Sequence, residues 1–166
     1  MKLTDHLKSR IQKKTATFPA GVYREQLDRK QNEGEAFIRD PAAEQVILQK
    51  WEVAFLYSKY VLKDAWPAFE AAMLEAPLTR NVVSQKAAYN YATDVKRGPV
   101  DGVARQISLN GELSADYAIN VVGQAWDPEN PDHKRALNSI EAHPQASDAY
   151  AEGLDELSTS HRKRRA

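Results

Sequence analysis

The sequence predicts a mostly α-helical fold, an irregular bundle of about six helices. Two observations point there: apolar residues recur at helical spacing through the middle of the chain, and caps and prolines punctuate those runs. At 166 residues, 42% hydrophobic and 28% charged, the chain lies in the globular range, long enough to bury one sizeable core.

Taken in order, Leu3, Leu7 and Ile11 are four apart and share one helical face, after which Pro19 and Gly21 interrupt the run. Residues 22–34 read as a short charged helix ending at Gly34, held by Val22, Tyr23 and Leu27. The division this suggests is an N-terminal helical arm at 1–34, a helical core domain at 35–157 and a basic flexible tail at 158–166.

The strongest predicted element is a continuous helix over 41–65, with Asp40 as N-cap and Pro41 in the first helical position. Ile47, Leu48, Trp51, Ala54, Phe55, Val61, Leu62 and Ala65 fill a broad stripe, and Val53, Tyr57 and Tyr60 widen it beyond one face. Pro67 ends it, and residues 67–77 give a short helix through Phe69, Ala72 and Met73. Thr79 is placed to cap the next helix, faced by Val83, Ala87, Asn90, Tyr91 and Val95 and stopped at Gly98-Pro99. Later, Asp127-Pro128 and Asn130-Pro131 look like two helix starts; Ala136, Leu137 and Ile140 support a helix to His143, and Ser147 caps a last one. No segment repeats at a fixed period, which argues against a solenoid.

Residues 103–121 admit two readings. Asn110-Gly111 can turn a β-hairpin, but the two-residue loop sets Leu109 opposite Glu112, and the three-residue loop puts glutamate where glycine is wanted. The preferred reading stops one helix at Asn110-Gly111 and caps the next with Ser114; the hairpin stands as the alternative.

Without cysteine there is no disulfide, thiolate metal site or cysteine nucleophile. Glycine patterns for phosphate binding and the nucleophile elbow are missing, and His6, His133, His143 and His161 lack metal-binding spacing. The cluster Asp127, Glu129, Asp132 and His133 lacks the glycine and glutamate of a calcium loop, and helix caps explain it. No cofactor, metal site or catalytic residue is therefore expected. No run approaches the roughly 18 apolar residues of a membrane span, so a soluble, cytoplasmic protein is expected.

The zero net charge hides an uneven distribution, +5 over 1–30, −1 over 31–110, −8 over 111–160 and +4 over 161–166. Two functional readings follow. The first is a non-enzymatic helical protein acting by protein–protein association, as a self-assembling or structural subunit, with Val53, Tyr57, Tyr60 and Trp66 as interface candidates. The alternative is a nucleic-acid-binding accessory protein whose contacts are Lys8, Arg10, Lys13 and Lys14 in the arm and Arg162, Lys163, Arg164 and Arg165 in the tail. Trp51, Phe55, Tyr57, Tyr60 and Trp66 among Lys50, Lys59 and Lys63 could stack bases, although core packing explains the same pattern.

Overall fold

The computed structural model of the chain describes residues 18–163. These are mostly helical, with nine α-helices and no strand among them, so the count of about six is too low and the β-hairpin at 103–121 is not formed. No helix among the described residues is long and apolar enough to cross a membrane. Contacts divide the chain into two compact units, one ending at Ala65 and the other beginning at Trp66.

The first unit contains α1 (Pro19–Glu33), α2 (Pro41–Ile47) and α3 (Trp51–Leu56). Pro19 opens α1 at its first position and Gly21 lies within the helix, which Gly34 closes at φ 57; the run at residues 3–13 lies outside the described residues. Val22 is buried where α1 packs on α2, so this segment has core contacts of its own. Asp40 caps α2 as expected, its carboxylate accepting from the amides of Ala42 and Ala43. The expected continuous helix breaks after Ile47, however: a turn through Leu48 and Gln49 restarts the chain as α3, with Lys50 in extended geometry at its N-cap. Ile47 and Ala54 are both fully buried, one on each side of the break.

The second unit holds α4 (Pro67–Glu75), α5 (Val82–Asn90), α6 (Asp101–Ile107), α7 (Gly111–Asp116), α8 (Pro131–Glu141) and α9 (Pro144–Lys163). Neighbouring helices pack tightly, α4 on α6, α5 on α6, and α7 on both α8 and α9. At two places glycine sets the distance. A Cβ on Gly102 would lie 2.8 Å from the Leu74 nitrogen, and one on Gly111 would fall on the Ser139 carbonyl oxygen.

One local device recurs. α3, α5 and α7 each run into a π-helical turn, Tyr57–Leu62, Tyr91–Lys96 and Tyr117–Val122, and each turn ends on a left-handed residue, Lys63, Arg97 and Gly123. Within the second unit three phenols from later in the chain each hold a backbone amide three residues past one of these left-handed residues. The Tyr91 hydroxyl accepts the Trp66 amide at 2.7 Å, Tyr117 accepts Val100 at 2.7 Å, and Tyr150 accepts Trp126 at 2.8 Å. Trp66 and Val100 are N-caps without a side-chain cap of their own, so the phenols satisfy helix-start amides from a distance. The tyrosines recur structurally without a fixed period, because the segments between them differ in length.

Several caps also differ from expectation. Asn110 and not Ser114 caps α7, accepting from the Leu113 amide, and Ser114 is buried with its hydroxyl donating to the Ile107 carbonyl. Asn81 caps α5, while the Thr79 hydroxyl accepts the Asn81 amide. Asn130 caps α8 as expected, but Asp127 forms only a turn, its carboxylate accepting from Glu129. α9 begins at Pro144, ahead of Ser147, and continues to Lys163, past the point where the sequence division starts a tail.

Candidate functional site

A concave feature with mixed chemistry lies between two elements of the second unit. α7 and its π-helical turn form one wall, the first half of α9 the other, enclosing about 500 Å³. Ala115, Ile119, Ala146 and Gly153 provide an apolar floor of small side chains. Gly153 decides how deep that floor lies, because a Cβ there would meet Ile119 Cγ1 at 2.7 Å. Along α7 the rim carries Glu112 and Asp116, four apart on one helical face; along α9 it carries Glu152 and Glu156, also four apart. Among the described residues, no lysine, arginine or histidine lines the groove.

On the rim, Asp116 accepts the Tyr89 phenol and the Asn120 amide, the latter at 2.6 Å. Tyr89 is pushed well above its usual titration, first by burial and then by its bond to Asp116. A phenol held protonated against a carboxylate is a structural bond, and no nucleophile with an adjacent base is found among the groove's lining residues. Such a rim can attract a cationic surface while the floor receives small apolar side chains.

A second hollow of about 610 Å³ is lined by Arg80, Val82, Gln85, Leu109, Asn110 and His143. Its polar groups are used by the fold: Gln85 donates to the Thr79 carbonyl and accepts from Asn110, Asn110 caps α7, and His143 Nδ1 lies 2.8 Å from the Ser139 carbonyl. Val82 at its edge is 50% exposed, and Val83, expected on the packed face of α5, is also exposed.

Of the predicted interface residues, Val53, Tyr57 and Trp66 are buried and cannot present a free surface, whereas Tyr60 is 47% exposed. The Tyr57 hydroxyl donates to Glu44 at 2.9 Å, in a cluster where Glu44 also pairs with Arg39. The aromatic–lysine mixture is spent internally: Lys59 Nζ sits 5.4 Å above the Phe55 ring and 5.5 Å above Tyr60, and Tyr57 and Trp66 have no face open to a base. Of the basic positions, Lys8, Arg10, Lys13, Lys14, Arg164 and Arg165 lie outside the described residues, as do the side chains of Arg162 and Lys163.

The acidic cluster at 127–133 is likewise structural. Asn130 accepts the amides of Asp132 and His133, Asp132 pairs with Arg135 at 2.6 Å, and the His133 ring lies 4.5 Å from Trp126. Among the described residues no three His, Asp or Glu side chains are grouped to hold a metal ion.

Glu112, Asp116, Glu152 and Glu156 were not singled out by the sequence reading. The available signal was the −8 charge of residues 111–160 together with two like-charge pairs at helical spacing, but spacing alone does not bring α7 to α9. Compared with family models, with curated proteins and with solved structures, this chain matches none.

Proposed function

We propose that the chain is a non-enzymatic helical protein that acts by association with another protein, through the groove between α7 and α9. The observation that supports this reading is the groove itself, an open apolar floor under an acidic rim that has no cation among its lining residues. Packed interiors avoid such arrangements, because like charges four apart on a helix each cost a few tenths of a kcal/mol. Two such pairs face one another here, a cost that a bound partner would offset.

Site-specific photocrosslinking in cells tests the reading. A photoreactive residue at Asn120, exposed at the groove, is expected to give discrete protein adducts, while one at Glu141, exposed on α8, is not. Adducts absent at Asn120, or equal from both positions, refute it.

A further inference from the structure

We propose that the groove receives residues 1–14 of a second copy of this chain, an inference that rests on the groove being the docking surface. Charge complementarity is the first argument. The groove offers Glu112, Asp116, Glu152 and Glu156 and no cation, whereas residues 1–14 carry Lys2, Lys8, Arg10, Lys13 and Lys14 against the single anion Asp5. Patterning is the second. Leu3, Leu7 and Ile11 are four apart, so a helical conformation would set them in one row, matching a floor of Ala115, Ile119, Ala146 and Gly153.

The geometry of such binding is that of an apolar helix face laid in a groove, with flanking cations meeting rim carboxylates. Opposite charges also select orientation and reject wrong partners, since a cationic groove would repel the same segment. A single short segment in one groove buries less than the roughly 1,200 Å² of a stable interface. Reciprocal exchange between two copies, each giving its segment to the other, doubles the contact and closes the assembly as a symmetric pair.

The test uses the full chain in four forms, compared by sedimentation over a range of concentrations. Wild type is expected to form a reversible dimer. The groove variant Glu152→Lys/Glu156→Lys and the segment variant Lys8→Glu/Lys13→Glu are each expected to dimerise roughly tenfold or more weakly. Mixing the two variants is expected to restore a pair, because the reversed groove now suits the reversed segment and both unreversed halves still match. Raised salt should weaken the wild-type dimer.

Circular dichroism of each variant checks that the fold is kept; Glu152 and Glu156 are exposed, so their reversal disturbs no packing. As a second readout, a labelled synthetic peptide of residues 1–14 should bind the segment variant and not the groove variant. Monomeric wild type at every concentration, variants that dimerise as tightly as wild type, or a mixture that stays monomeric each overturns the proposal. Adducts at Asn120 to other proteins, with the charge reversals without effect, would leave the association reading standing and remove this occupant.

Discussion

Replacing Tyr117 with phenylalanine isolates the phenol that recurs through the second unit. The Tyr117 oxygen accepts the Val100 amide at 2.7 Å and donates to the Val100 carbonyl at 3.2 Å, both groups being buried. The ring stacks on Trp126 with centroids 6.0 Å apart, and phenylalanine keeps that contact, so the packing contribution cancels. The carbonyl retains the amides of Val103 and Ala104. What is lost is the acceptor for one buried N–H, which costs roughly 1–3 kcal/mol. Taking about 2 kcal/mol, a unit of about 100 residues should melt roughly 8–15 °C lower. If both units melt together as one, the drop should be about half that. Thermal and urea unfolding followed by circular dichroism measure the change. Tyr60→Phe, at an exposed ring, should stay within about 0.5 kcal/mol of wild type. A Tyr117→Phe protein as stable as the Tyr60→Phe control would show that the phenol does not hold the start of α6.

Further outcomes follow from the same contacts. Burial pushes Tyr117 up to about 12 and also raises Tyr57, Tyr89 and Tyr150, so the folded state holds these protons more tightly than the unfolded chain. Their stabilisation is therefore complete below the ordinary tyrosine value of about 10 and is lost as pH rises further, for Tyr117 through about 12. Phenolate absorbance and loss of helical signal should rise together in that window; unchanged unfolding free energy across it would contradict the assignment. Arg97 adopts φ 54, a geometry that costs a non-glycine residue about 1 kcal/mol. Arg97→Gly should thus raise stability by roughly 0.5–1 kcal/mol, and a destabilised variant would refute this. Gly111→Ala should destabilise by about 1–3 kcal/mol, because its Cβ would meet the Ser139 backbone. Gly153→Ala meets only the Ile119 side chain, which can shift, so it should cost less; the reverse order in urea unfolding would show that backbone contact does not set the α7–α8 spacing. Gln106→Leu should cost about 2–4 kcal/mol in the same assay, since its amide donates to the Met73 and Ala76 carbonyls and accepts from Thr79. Stability within about 0.5 kcal/mol of wild type would rule out that role.

Local chemistry determined much of what could be read in advance. Asp40 before Pro41 and Asn130 before Pro131 start helices because a side-chain oxygen and a missing N–H suit those positions. Gly34 and the prolines at 67 and 144 mark ends and starts for equally local reasons. Phe69 and Met73 lie in the core as helical spacing implies.

Tertiary contacts decided the rest. Ser114 and Asn110 can each cap a helix; Asn110 does so because Ser114 is drawn into the core, its hydroxyl donating to the Ile107 carbonyl and its carbonyl accepting the Trp126 indole N–H. Tyr57 and Trp66 read from the sequence as interface candidates, but each is fully buried within its own surroundings, as spacing along one helix does not reveal. The groove belongs to the same class. Its rim residues lie on α7 and α9, separated in sequence by all of α8, and meet across the groove where Gly153 of α9 approaches Ile119 in the turn after α7. Caps and turns depend on neighbours a few residues away, and a sequence displays those directly. A surface made by two helices depends on packing between distant residues, which only the folded chain displays.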